Sequence, residues 1–206
     1  MDFSQYKTLE FRRKFFKIFG AEISIIEPEN HRLVGFVKLK AWRLREDIRI
    51  YSDKTRSQEL MGINARQIID FGATYDVTDS TTAEPLFSVR RKGLKSTFVR
   101  DHWDINNVAG EVIGALQETS SGLALARRYV GIIPILGEII DLLFAFIPQT
   151  YSILDNHKTI IATITHRKNP FIVKMRLDIH KTSNVIDPRV GIAIATLLSV
   201  IDASKN

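Results

Sequence analysis

Residues 187–206 read DPRVGIAIATLLSVIDASKN, and from Val190 to Ile201 every residue is apolar except Gly191, Thr196 and Ser199. Asp187 followed by Pro188 reads as a helix start. The aspartate accepts from the open N–H groups, and proline gives up a donor that has no partner in the first turn anyway. The reading is a helix over 188–202, greasy on all sides, and such a helix has to be enclosed by apolar surface. Its roughly 12 apolar-rich residues reach about 18 Å at ~1.5 Å each, well short of the ~30 Å hydrocarbon core of a bilayer. A membrane anchor is therefore the weaker alternative. The expected enclosure is a ring of strands whose lumen is too wide for strand side chains alone to fill.

The preceding sequence supplies strands for that ring. Phe19, Ala21, Ile23 and Ile25 alternate and stop at EPEN; Leu33, Gly35, Val37 and Leu39 follow, then Ile48 and Ile50, closed by SDK. Phe71, Ala73, Tyr75 and Val77 run into TDSTTAEP, followed by Phe87 and Val89. Val99, Trp103 and Ile105 lead to NNVAG, and Val112, Gly114 and Leu116 come after it. In PFIVKMRLDIH, residues 170–180, Phe171, Val173, Met175, Leu177 and Ile179 face one way and Lys174, Arg176, Asp178 and His180 the other. Period-2 text at this spacing, with one buried and one wet face, predicts an antiparallel barrel or sandwich. Ser120 to Ile147 lacks the alternation and reads as a helical insert broken near Pro134. The expected fold is one mainly-β domain over 1–206, a closed antiparallel barrel of about 10–12 strands around a central C-terminal helix, with a helical insert near 120–147.

A chain of 206 residues, 45% hydrophobic, can bury a sizeable core. The absence of cysteine excludes disulfides, thiolate metal sites and a cysteine nucleophile. MDFSQYKTLEFRRKFF carries Asp2 and no long apolar run, so a secretory signal is not expected. A net charge of +6 suits an anionic partner, either lipid headgroups or nucleic acid. Nucleic acid ranks last, because no aromatic stacking platform or groove-reading motif accompanies the charge. His31, His102, His157, His166 and His180 show no metal-ligand spacing, and neither a GxSxG elbow nor a P-loop is present. The expectation is a non-enzymatic protein with no cofactor and no metal. His102 and Asp104 flank Trp103 and read as a surface pair, while Asp76 and Asp79 read as strand-end turn chemistry.

Three stretches could meet an anionic surface. In residues 126–148, ARRYVGIIPILGEIIDLLFAFIP, a helix from Pro134 would place Ile135, Leu136, Ile139, Leu142, Leu143 and Phe146 on a wide apolar face. That face could cover its own barrel, a second subunit or the outer layer of a membrane. Arg127 and Arg128 would suit headgroups, at about 1 kcal/mol per basic residue, while Glu138 and Asp141 oppose deep spanning. In EFRRKFFKIF, residues 10–19, Arg12, Arg13, Lys14 and Lys17 interleave with four phenylalanines. This is either a bilayer-adhesive stretch or the run-in to the first strand. VRRKGLKSTFVR, residues 89–100, gathers Arg90, Arg91, Lys92, Lys95 and Arg100 around Gly93, either for a phosphate or as a solvated turn. The same two readings cover Lys38, Lys40, Arg43 and Arg45, and also His166-Arg167-Lys168.

Ile50-Tyr51-Ser52-Asp53, Tyr75-Asp76-Val77-Thr78-Asp79, Arg90-Arg91-Lys92 with Lys95-Ser96, Trp103-Asp104-Ile105 and the terminal VIDPRVGIAIATLLSVID follow one another in order. In that order, from about Phe15 to Asp202, the sequence resembles the tubby C-terminal-like superfamily, which includes tubby domains, phospholipid scramblases and LURP-one-related proteins. The resemblance implies a closed antiparallel barrel around a hydrophobic C-terminal helix, and lipid recognition as in the tubby and scramblase branches. The chain departs from the scramblase pattern: it has no cysteine cluster, and LDIHKTSNVIDP is too poor in acids for a calcium loop. The functional expectation is a peripheral lipid-binding module that works from the cytoplasm at a membrane surface. The alternative is a soluble interaction or scaffold domain that docks or self-associates through the insert.

Overall fold

The computed structural model describes residue 3 and residues 5–16, 20–39, 47–66, 72–92, 102–119, 148–167, 173–181, 183 and 185–203. Among these, the chain forms twelve strands and one helix. The strands are β1 (Thr8–Phe16), β2 (Gly20–Glu27), β3 (Arg32–Leu39), β4 (Asp47–Tyr51), β5 (Glu59–Ala65) and β6 (Thr74–Asp79), then β7 (Pro85–Arg91), β8 (His102–Asn106), β9 (Val112–Glu118), β10 (Gln149–Asp155), β11 (Ile160–Arg167) and β12 (Val173–Ile179). The helix is α1 (Arg189–Ala203). Each strand pairs antiparallel with its chain neighbour, and β1 closes the ring on β12. The result is an up-and-down barrel without open edges.

Inner faces follow the period-2 rule. Leu9 and Phe11 of β1, Ile23 and Ile25 of β2, Met61 and Ile63 of β5, Val89 of β7, Leu116 of β9 and Leu177 of β12 are all fully enclosed. β12 alternates as expected, with Met175 and Leu177 in and Lys174 and Arg176 out. Residues 190–200 of α1 are buried without exception. The terminal segment therefore fills the lumen, as its all-round hydrophobicity requires.

The helix sits off the barrel axis, closest to β12 with β1, β2 and β11 beside it. A stripe of small residues, Gly191 and Ser199 with Ala195 between them at four-residue spacing, permits that approach. A Cβ on Gly191 would lie 3.1 Å from Leu177 Cδ2. The Ser199 hydroxyl donates to Ala195 O at 2.7 Å and lies 3.3 Å from Met175 Sδ.

The start of α1 is fixed as its sequence predicts. Asp187 Oδ1 accepts from the Arg189 N–H at 2.8 Å, and Pro188 occupies the position between them. The Arg189 guanidinium then joins Asp187 (Nη2 to Oδ2, 2.6 Å) to Asp79 at the end of β6 (Nη1 to Oδ2, 2.5 Å). The Asp79 carboxyl is held below the ordinary aspartate range by the Thr81 hydroxyl, the Thr81 N–H and Arg189. Asp79 is thus turn chemistry and also an anchor for the helix.

Two readings of the sequence are corrected, and three strands lie where the sequence marks none. The basic-aromatic stretch at residues 10–19 is not a run-in, because β1 already begins at Thr8. β5, ELMGINA, contains the contiguous apolar run Leu60-Met61 and so lacks visible alternation. β10 and β11, absent from the strands that the sequence predicts, complete the ring between β9 and β12. In β3 the alternation through Leu33 fails, because a bulge opposite Ile25 and Ile26 shifts the register and buries Val34. The insert at 120–147 lies outside the described residues, as do Phe19, Phe71 and Val99.

A cationic rim at the distal end of the barrel

The barrel has two distinct ends. At the proximal end α1 enters the lumen beside the short connections that follow β2, β4, β6, β8 and β10. At the distal end α1 finishes, and there the strands are joined by 17–19, 40–46, 67–71, 93–101, 120–147 and 168–172, all outside the described residues. Strand direction brings the singled-out cations that lie among the described residues toward this distal end. β1 rises toward it through Arg12, Arg13 and Lys14, and β7 through Arg90 and Arg91 to Lys92. The chain also leaves β9 and returns to β10 there, so the connection that carries Arg127, Arg128 and the apolar run Ile135, Leu136, Ile139, Leu142, Leu143 and Phe146 starts and ends on the same rim. Those residues and Lys95 lie outside the described set.

The two cation groups do not form a single patch. β1 and β7 are six strands apart in a ring of twelve, on opposite walls. Within each group, strand alternation splits the side chains between solvent and lumen. On β1, Arg12 points outward and pairs with Glu10 (Nη2 to Oε2, 2.8 Å), and Lys14 is exposed. Arg13 turns inward and is 2% exposed, its Nη1 2.5 Å from Ser199 O. It holds a carbonyl in the last turns of α1, where no helix residue supplies a cation. Arg13 is therefore a lumen residue and is removed from any surface contact.

On β7 and β8 the outer face carries Arg90, Lys92, His102 and Asp104. Lys92 Nζ lies 2.9 Å and His102 Nε2 3.3 Å from Asp104 Oδ1, and Arg90 is Asp104's partner in register. Asp104 is only 9% exposed. The His102–Asp104 pair expected from the sequence is present, with Lys92 as a third member. Arg90 is exposed. Arg91 faces inward over the Trp103 ring, its guanidinium carbon 5.6 Å from the centroid, a cation–π distance. Tyr75 lies against the same indole, centroid to centroid 6.0 Å. The Trp103 Nε1 is buried with no hydrogen-bond partner among the described residues.

His166 departs from its expected role. It sits on the inner face of β11, 2% exposed, and is not part of a solvated basic turn. Glu118 on β9 is buried in the same inward phase. Sequence reasoning missed this inward polar set, although the period-2 phase of Phe11 and Leu116 carries over to Arg13 and Glu118 two residues further on. Lys38 is exposed and pairs with Glu22 at 3.7 Å, while Lys40, Arg43 and Arg45 lie outside the described residues.

Chemically, the described part of the rim offers exposed ammonium and guanidinium groups at Lys14 and Arg90, with Arg12 and Lys92 already paired to carboxylates. Among the described residues, no three histidine, aspartate or glutamate side chains are grouped to hold a metal ion, and no helix is long and apolar enough to cross a membrane. Searches of protein-family models, curated proteins and solved structures return no match for this chain.

Proposed function

We propose that the barrel is a non-enzymatic, peripheral lipid-binding module whose distal rim meets anionic headgroups at the cytoplasmic face of a membrane. The observation that carries the reading is topological. Strand direction delivers Arg12, Lys14, Arg90 and Lys92 to the end of the barrel where β9 finishes and β10 starts, and the intervening sequence, outside the described residues, carries Arg127, Arg128 and an apolar run. Cations beside an apolar segment are the combination that adsorbs to an anionic interface. Kinship with the tubby C-terminal-like superfamily is part of the same proposal. The closed barrel around a C-terminal helix supports it, but a fold alone does not assign an activity.

Co-sedimentation with vesicles tests the reading. Binding to phosphatidylcholine vesicles containing phosphatidylserine, and not to pure phosphatidylcholine, is expected. Neutralising the two exposed cations, Lys14→Gln with Arg90→Gln, removes about 1 kcal/mol each and predicts a roughly thirtyfold lower partition coefficient. Ile139→Asp in the connection is expected to release the protein as well. A protein that stays in solution with every vesicle, and elutes as a dimer that Ile139→Asp splits, overturns the lipid reading in favour of a docking domain. The ion pairs of Arg12 and Lys92, which lower the free positive charge of the rim, are what favour that second reading.

A further inference from the structure

The ring of strands is not closed with equal strength all round. β2 faces β1 and β3 at seven positions each, and every other junction but one holds at least four. Among the described residues, β3 and β4 face at two only, Phe36 opposite Tyr51 and Val37 opposite Ile50. The shortness of β4 is not the cause, because the same strand faces β5 from Asp47 opposite Asn64 to Tyr51 opposite Glu59. Bulges at Ile25–Ile26 and at Ile50–Tyr51 flank the junction on its two sides, and a bulge bends and twists the strand that carries it.

Charge accounts for where the ladder stops. The next facing pair would be Lys38 and Arg49, both on the outer face because Val37 and Ile50 beside them point inward. Like charges set directly opposite destabilise a strand pair. Each cation is instead neutralised on the side away from the junction. Lys38 Nζ lies 3.7 Å from Glu22 of β2. Arg49 reaches across β5, its Nη1 2.9 Å from Glu59 and so close over Gly62 that an added Cβ there would lie 2.8 Å from it. Among the described residues no ion pair bridges β3 and β4. On the inner side Leu39 and Ile48 are buried, so beyond Val37 and Ile50 apolar packing closes this part of the wall without a ladder. The helix leans on β12, β1, β2 and β11 and does not brace the junction.

We propose that the β3–β4 junction is a seam at which the wall opens locally while the rest of the ring stays paired, uncovering Val37, Leu39, Ile48 and Ile50 with α1 still seated on β12. The facing cations Lys38 and Arg49 set how readily it opens. The seam belongs to the wall and does not depend on the lipid reading of the distal rim. Residue-resolved amide hydrogen exchange, followed by NMR at several urea concentrations below the unfolding transition, is the test. Those amides of Phe36, Val37, Ile50 and Tyr51 that bond across the junction should exchange on the order of a hundredfold faster than amides of the β1–β2 ladder, at rates nearly independent of urea, because a local opening exposes little surface. The β1–β2 amides should instead follow the urea dependence of global unfolding. Lys38→Thr removes one of the two facing charges at an exposed position and should slow the seam amides about threefold relative to the β1–β2 amides. Lys38→Arg keeps the charge and should leave the fast exchange as it is. Seam amides that share the rate and the urea dependence of the β1–β2 ladder overturn the proposal, and so do equal seam rates in Lys38→Thr and Lys38→Arg.

Discussion

Thr196 lies at the middle of α1, 0% exposed, and its hydroxyl has no hydrogen-bond partner among the described residues. A buried hydroxyl left unpaired costs roughly 1–3 kcal/mol, the lower figure being typical of proteins. Thr196→Val keeps the branched shape and a near-equal helix propensity while deleting that cost. The expected outcome is a stabilisation of about 1 kcal/mol. For a chain of this size that corresponds to a rise in Tm of about 2–4 °C, or about 0.4 M in the urea midpoint if m is near 2.5 kcal/mol/M. Ser199→Ala is the internal control. The Ser199 hydroxyl is satisfied by Ala195 O, a carbonyl of the preceding helical turn, so its loss should change stability by less than about 0.5 kcal/mol. Equilibrium urea unfolding followed by circular dichroism measures both. If Thr196→Val is neutral or destabilising while the slope is unchanged, the hydroxyl is hydrated in the native state and the lumen is not closed around the helix.

Other consequences follow from single contacts. Gly114→Ala places a Cβ 2.5 Å from Leu154 O and against Ile186, and should cost about 2 kcal/mol in the same unfolding assay. Asp187→Ala removes the helix cap and should cost about 1 kcal/mol, with the first amides of α1 exchanging faster by hydrogen-exchange mass spectrometry. Arg13→Met leaves Ser199 O without this donor in the lumen and should destabilise by about 3 kcal/mol. Acid stability has a defined sign. Asp53, held down by the hydroxyls of Ser57, Thr55 and Ser52, and Asp79, held down first by Thr81, both have folded pKa values below their ordinary ~3.9. Their contribution is complete above that value and is lost as the pH falls below it toward the folded values. The double variant Asp53→Asn with Asp79→Asn should therefore be less stable than the parent at pH 6, with the difference shrinking below pH 4.

Much of this architecture was legible in the sequence because the barrel obeys two simple rules. Alternation placed Ile23, Val37, Ile50, Val77, Val89, Ile105, Leu116 and Leu177 on inner faces. The Asp187-Pro188 start and an all-round greasy tail left the lumen as the economical place for the helix. Legibility failed where a residue obeyed the alternation but not the expected polarity. Arg13 and His166 read as solvated cations because of their charge, although their strand phase points them inward. β5 and β11 escaped because Leu60-Met61 and Ile160-Ile161 are contiguous apolar pairs, and contiguous runs do not distinguish strand from buried helix. Bulges, as between Ile25 and Ile26, shift the phase with no clear mark in the text. For the rim, the candidate cations were visible as residue types. Their delivery to one end required the strand order, and the pairing of Lys92 with Asp104 required knowing which strand lies beside β7.

The enclosure of α1 by the strands has a direct chemical test, because the chain has no cysteine of its own. Single thiols introduced as Ala195→Cys, inside the lumen, and Val185→Cys, on the exposed crossing, would be reacted with a maleimide under native conditions. The structure predicts that Val185→Cys labels at the rate of a free thiol, and that Ala195→Cys labels only once urea unfolds the barrel. Equal labelling of both in a protein with an intact unfolding transition would place the helix outside the ring and contradict the account.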